Sequence, residues 1–145
     1  MRTEVIAIFF IFVAFNYQPA SGGNWGYSGK KGPANWEAIC ATGQSQSPVN
    51  LENQVFDKNL VLDPFVFSNY QTNLVGAKLN NNGHTVQLDS PNDFIAQISG
   101  GGLNGTYQFA QLHFHWGDTQ YQGSEHTLNG QAYPLEVHLV HFNTK

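Results

Sequence analysis

A chain of 145 residues that is 41% hydrophobic and only 11% charged carries enough apolar material for one globular domain and is not a disordered tail. Its six basic residues (Arg2, Lys30, Lys31, Lys58, Lys78 and Lys145) are scattered against a net charge of −4, which argues against a nucleic-acid partner. An aromatic content of 14% and 15 glycines lean toward a β-rich domain with many turns.

Arg2 precedes an apolar run from Val5 to Phe15, followed by Pro19-Ala20-Ser21-Gly22-Gly23. The run is shorter than the roughly 20 residues that a membrane-spanning helix needs. It reads as a secretory signal peptide over residues 1–22, cleaved between Ala20 and Gly23, with one domain over 23–145. No second apolar span follows, so the mature chain is expected to be soluble and extracellular. In that compartment the single cysteine, Cys40, reads as half of an intermolecular bond, a free thiol or a residue whose partner is missing. Asn104-Gly105-Thr106 is an N-glycosylation sequon at a Gly-rich turn.

Gly22 to Asn35 reads as an irregular segment pinned by Trp25, Tyr27 and Trp36 rather than as a helix. Gln44 to Leu51 reads as a loop. Strands are expected over Val61–Ser68 (interrupted by Pro64), Leu74–Leu79, Thr85–Leu88 and Phe94–Ile98. The turn signals Asn80-Asn81-Asn82-Gly83 and Ser90-Pro91-Asn92-Asp93 separate the later three. Two longer strands follow, Tyr107–Trp116 and Leu135–Phe142, joined by a loop containing Gly117, Gly123 and Gly130. No helical periodicity and no internal repeat appears in the mature chain, so the fold is expected to be mostly β.

All six histidines lie at or after position 84. In Gln111-Leu112-His113-Phe114-His115-Trp116 polar and apolar residues alternate, so Gln111, His113 and His115 share one strand face. By the same rule Glu136, His138 and Val140 share a face of the last strand. If the two polar faces meet, three imidazoles come together with a glutamine and a glutamate beside them. Three neutral nitrogens with an open fourth position are the ligand set of a catalytic zinc. Gln111 and Glu136 would then accept ring N–H groups and fix the tautomers. The alternative for any one His-x-His is a pair of satisfied or exposed histidines. A cupin-like barrel also uses His-x-His, but places a glutamate soon after it, whereas Glu125 follows His115 by ten residues.

The segments Gln111-Leu112-His113-Phe114-His115-Trp116-Gly117, Gly123-Ser124-Glu125-His126-Thr127 and Glu136-Val137-His138-Leu139-Val140-His141 together resemble the α-class carbonic anhydrases. The resemblance extends upstream through Trp25-Gly26-Tyr27, Gly32-Pro33 with Trp36, Gln46-Ser47-Pro48-Val49 and Asn81-Asn82-Gly83-His84, in the family's order. It implies an α+β, mostly β fold around a large, mainly antiparallel twisted sheet. It also implies zinc-dependent, reversible hydration of carbon dioxide to bicarbonate and a proton, by zinc-hydroxide attack with proton shuttling.

Residue by residue, the resemblance implies His113, His115 and His138 as Zn2+ ligands and Gln111 and Glu136 as their outer partners. His84 would be the proton shuttle, histidine being the side chain that exchanges protons near neutral pH. Tyr27, Asn82 and Gln87 would line the cavity or its water chain, and Val140 would be part of the apolar wall for carbon dioxide. Glu125 would orient a gatekeeping threonine, and Cys40 would be the first cysteine of a disulfide. His126 and His141 read as structural. The resemblance covers only the N-terminal half of the family's domain, without the threonine, the second cysteine and the later strands. The sheet is therefore expected to be incomplete on its C-terminal side, with open edges and an exposed apolar face. A membrane tether further along is left open. Non-catalytic members used as binding modules typically lose a ligand histidine, whereas all three are present here.

Overall fold

The computed structural model of the chain describes residues 25–37, 39–52 and 59–145. The expected signal peptide lies outside the described residues. Among these, the fold is a mostly-β arrangement with one short α-helix, α1 (Ile39–Thr42). Its strands are β1 (Asn50–Leu51), β2 (Val66–Ser68), β3 (Lys78–Asn81), β4 (Val86–Asp89), β5 (Gln97–Ser99), β6 (Tyr107–Trp116), β7 (Thr127–Leu128) and β8 (Leu135–Asn143).

The two long strands appear where alternation placed them, β6 over its expected span and β8 one residue longer. Of the shorter expected strands, the one over Thr85–Leu88 keeps four residues as Val86–Asp89, and the other three contract, each for a local reason. Pro64 has no N–H for a ladder, and only Val66–Ser68 of its segment pairs. Gly76, at φ 80°, turns the chain before β3. Phe94 closes a turn onto the Pro91 carbonyl at 3.1 Å, so β5 begins only at Gln97. The segment expected to be irregular contains two single-turn 3-10 helices, Gly29–Lys31 and Pro33–Asn35. Aromatic rings do pin it: Trp25 meets Tyr27 and Trp36 edge-on at 5.4 and 5.9 Å. The loop expected over Gln44–Leu51 ends in β1, which pairs in parallel with β7, another two-residue strand too short to show periodicity.

β6 is the spine of a six-stranded sheet whose strand pairs are all antiparallel. β8 runs along one of its edges; β5 and β4 pair in succession along the other, with β2 outside β5 and β3 outside β4. Between Phe109 and Gln111 the β6–β8 register slips by one residue, and Ala110 is the extra residue of a bulge. The bulge changes what each face carries. Without it, strict alternation would put Tyr107 and Phe109 on the histidine face. With it, Phe109 lies opposite His141 and joins the apolar face of Leu112, Phe114, Leu139 and Val137. The Ala110 carbonyl still finds a donor, the Ser90 N–H at 3.0 Å.

The buried apolar core is small: Ala96, Ile98, Tyr107 and Phe109. Around it, Tyr70 donates its hydroxyl proton to His141 Nε2, while His141 Nδ1–H donates to the Leu139 carbonyl at 2.9 Å. Burial pushes the Tyr70 phenol up to about 12. Large apolar side chains stay exposed along Leu60, Val61 and Leu62, on Val66 and Phe67, and at Leu79 and Trp116. Among the described residues β8 pairs on one side only, with β6. No helix among the described residues is long and apolar enough to cross a membrane.

Candidate metal centre

Register brings the histidines together. His113 on β6 lies directly opposite His138 on β8, and His115 lies opposite Glu136. One nitrogen from each of His113, His115 and His138 lies within 4.8 Å of the others, close enough for one cation to touch all three. Ring centroids are 4.9 Å apart for His113–His138 and 4.5 Å for His115–His138.

The remaining ring nitrogens are held from behind. His113 Nδ1–H donates to Gln111 Oε1 at 2.9 Å, two residues back on the same face. His138 Nε2–H donates to Glu136 Oε1 at 2.5 Å. His115 Nδ1 faces Glu125 Oε1 at 3.3 Å, a looser contact. What is left to face the common centre is His113 Nε2, His138 Nδ1 and His115 Nε2. The last is buried and has no hydrogen-bond partner among the described residues. A buried polar atom without a partner calls for a reason, and a metal ion held by the three nitrogens supplies one.

The protonation states agree with that use. Burial, then the positive charge that His138 would carry, lowers His113 to about 4. Burial, then His138 and His113, lowers His115 to about 4. Both rings are therefore neutral at neutral pH, as metal donors must be. Burial alone would raise Glu136, but hydrogen bonds from His138 and from the backbone and ring of His126 outweigh it and leave its carboxyl below the ordinary value. Burial raises Glu125. By these features, zinc fits the donor set.

These shifts carry a sign for stability. The unfolded chain holds both histidines near 6.5 and so binds more protons than the folded chain between about 4 and 6.5. Stability is full above about 6.5 and is lost as pH falls toward 4. Urea midpoints of the metal-free chain should fall steadily between pH 7 and pH 4.5, less steeply in His113→Gln. A flat midpoint over that window would contradict the burial of these rings.

A cleft of about 330 Å³ lies over the three histidines and is lined by Trp25, Tyr27, Asn82, His84, Gln87 and Gln111 among others. The Asn81-Asn82-Gly83-His84 turn forms one end. Asn82 Oδ1 accepts the N–H groups of His84 and Thr85, both at 2.9 Å, and Gly83 sits at φ 88°, a conformation that favours glycine. Thr85 Oγ1 donates to the Phe114 carbonyl, tying this end to β6. His84 is exposed and stacks on Trp25 with centroids 3.9 Å apart. Gln87 lies opposite His113 across the β4–β6 pair, accepting from Asn82 at 3.3 Å and donating to Asp89 at 2.6 Å. Val140 shares the histidine strand face, opposite Gln111, but does not line the cleft. A neighbouring cleft of about 490 Å³ is lined by Tyr27, His84, Phe114, His115, Trp116 and Glu125 among others. Cys40 and Asn104 are exposed, on α1 and in the turn before β6, and neither lines the two clefts.

The loop before β7 contributes what the sequence reading did not assign. Gly123 is buried with its N–H 2.9 Å from the Tyr133 carbonyl, leaving no room for a Cβ. Ser124 Oγ donates to the His126 carbonyl at 2.7 Å and accepts the Tyr133 N–H at 2.8 Å. That loop delivers His126 onto Glu136: its backbone N–H reaches Oε2 at 2.9 Å and its Nδ1–H reaches Oε1 at 2.7 Å. The signal was present in the Gly123–Thr127 motif, where polar residues crowd a turn, but the partner is on another strand.

Residues 31–145 match the sequence profile of the eukaryotic-type carbonic anhydrases. The chain is 40% identical over 124 residues to carbonic anhydrase 7 of Mus musculus, covering 83% of this chain and 46% of that protein. It is 37% identical over 145 aligned residues to carbonic anhydrase 15 of Mus musculus, covering 94% of this chain and 45% of that protein. With the putative carbonic anhydrase 3 of Caenorhabditis elegans the identity is 41% over 122 residues, 82% of this chain and 48% of that protein. The chain thus spans about half the length of the curated relatives it matches. With residues 31–145 matching the profile, the chain belongs to the eukaryotic-type carbonic anhydrase family.

Proposed function

We propose that this chain carries the zinc centre of an enzyme that reversibly hydrates carbon dioxide to bicarbonate and a proton. The observation that supports it most is the convergence of one nitrogen each from His113, His115 and His138, one of them buried with no hydrogen-bond partner among the described residues. Zinc, when bound, supplies a Lewis acid that makes water nucleophilic near neutral pH.

The chain's own residues do the rest. Gln111 and Glu136 hold the His113 and His138 rings as the tautomers whose free nitrogens face the centre. Tyr27, Asn82 and Gln87 give the cleft a polar wall along which water is ordered. His84, exposed at the rim of the same cleft, takes the released proton and passes it to solvent. Val140 is on the histidine strand face but outside the cleft, so its part in an apolar carbon dioxide wall rests on the family resemblance alone. Glu125, beside His115 and lining the neighbouring cleft, accepts a hydrogen bond from the hydroxyl of a gating threonine and so orients it. Carbon dioxide and bicarbonate are the small-molecule partners. The chain enters the secretory pathway through residues 1–22, with exposed Cys40 offered to a disulfide and exposed Asn104 to a glycan.

The test is carbon dioxide hydration, followed by stopped flow, in the zinc-loaded full chain. Activity that is removed by a chelator and restored by zinc supports the proposal; zinc uptake at the three histidines without hydration would leave a binding protein. His84→Ala is expected to lower turnover about tenfold in dilute buffer while leaving zinc content unchanged, with recovery in imidazole buffer. Equal turnover in dilute buffer would remove His84 from the proton path.

A further inference from the structure

An asparagine followed by glycine can modify itself. With no Cβ in the way, the glycine backbone nitrogen can reach the asparagine side-chain carbon and close a five-membered imide. The chain holds this pair three times, at Asn82-Gly83, Asn104-Gly105 and Asn129-Gly130.

The fold restrains two of the three. Asn82 is held by its own amide: Oδ1 accepts the His84 and Thr85 N–H groups, both at 2.9 Å, and Nδ2 donates to Gln87 at 3.3 Å. At Asn129-Gly130 the attacking nitrogen is held instead. The Gly130 N–H donates to Asn50 Oδ1 at 2.8 Å, on a strand 80 residues earlier in the chain. Asn104 is exposed, and its side chain makes no hydrogen bond among the described residues. The Gly105 N–H reaches the Leu103 carbonyl at 3.1 Å, two residues back in the same turn, and Gly105 sits at φ 110°. Thr106 beyond it is anchored, its carbonyl accepting the backbone N–H and the hydroxyl of Thr144 at 3.2 and 3.0 Å. A lysine also stands beside this glycine. A Cβ added at Gly105 would lie 3.5 Å from Lys145 Nζ, whereas one at Gly83 or Gly130 would meet nothing within 4 Å.

We propose that Asn104-Gly105 is a site of spontaneous intramolecular deamidation, assisted by Lys145. The Gly105 nitrogen gives its proton to solvent and bonds to Asn104 Cγ. The Cγ–Nδ2 bond breaks, and the amide nitrogen takes a proton from solvent and leaves as ammonia. Water then adds to either imide carbonyl and opens the ring to aspartate or isoaspartate, with no oxidant or reductant involved. The Lys145 ammonium stabilises the negative charge that builds on the Asn104 side-chain oxygen during attack. The product loses the nitrogen that a glycan would occupy and gains a negative charge. In the isoaspartyl form the backbone is also lengthened just before β6. No metal takes part, so the site stands or falls separately from the zinc reading.

The experiment incubates the full chain, made without a glycan, in mildly alkaline buffer and maps its peptides by mass spectrometry at intervals. Circular dichroism follows the fold, and a urea-unfolded sample runs beside it. In the folded chain Asn104 is expected to convert roughly tenfold faster than Asn82 or Asn129, the scale set by the hydrogen bonds that attack must break at those two. In urea the three rates should come together, because the reacting pair is the same. Lys145→Gln is expected to slow Asn104 about threefold, the scale of an exposed charge contact, and to leave the other two sites unchanged. Conversion of Asn82 or Asn129 as fast as Asn104 in the folded chain would overturn the proposal. So would three equal rates before urea is added, the result that an unfolded chain gives. An unchanged Asn104 rate in Lys145→Gln would overturn the part given to Lys145.

Discussion

Replacing His138 with alanine is expected to abolish stoichiometric zinc uptake, with affinity falling on the order of 10³-fold. The size follows from the ligand set. Three nitrogens share the binding, and removing one forfeits roughly a third of the ~10–16 kcal/mol that zinc sites of this donor strength contribute. His138 is the costliest of the three to lose. It is the one donor from β8, the other two being two residues apart on β6. Its removal also strips Glu136 Oε1 of its 2.5 Å hydrogen bond in a fully buried place. Native mass spectrometry of the chain with zinc present reads the result directly, as one ion per parent chain and none on His138→Ala. One ion retained by the variant would mean that the metal sits elsewhere.

The second large effect is expected on stability and needs no metal. Glu136→Gln keeps size and shape but replaces one acceptor oxygen by an NH2 group. Glu136 is 0% exposed, and both its oxygens accept N–H donors. Whichever way the amide turns, a donor meets a donor. One charge-assisted hydrogen bond is lost and a buried N–H is left without an acceptor, at a cost of about 3 kcal/mol. For a chain of this size that corresponds to a fall in melting temperature of about 10 °C. A thermal melt of the metal-free variant checks it, and a fall of only a degree or two would mean that water reaches the carboxylate. The pH dependence runs the same way as for the histidines. Glu136 is held below its ordinary value in the folded chain, so its stabilisation is present above that value and is lost as pH falls through the lower, folded one.

Much of the site was legible because strands report themselves through alternation. Gln111-Leu112-His113-Phe114-His115-Trp116 and Leu135-Glu136-Val137-His138-Leu139-Val140 each name their own two faces, although Trp116 at the end of its apolar face stays exposed. The turn at Asn81-Asn82-Gly83-His84 was equally readable, since a side-chain acceptor followed by glycine favours such a bend on its own. The short strands were less so. A two-residue strand such as β1 or β7 has no period; the pair is held by the Thr127 N–H on the Val49 carbonyl at 3.2 Å and the Asn129 N–H on the Leu51 carbonyl at 3.0 Å, with Asn50 Oδ1 accepting from Thr127 Oγ1 and from the Gly130 N–H, both at 2.8 Å.

The sequence by itself determined the mostly-β character, the two histidine strands and the residue types of a zinc donor set, because these depend on local periodicity and on chemistry. Tertiary structure alone decided the register that sets His113 opposite His138, and the bulge at Ala110 that keeps Phe109 off the histidine face. It alone decided that Glu125 lies beside His115 and that His126 reaches Glu136 from another element. Pairings of that kind depend on which strand edge meets which and on where a loop is folded back, and no local pattern encodes either.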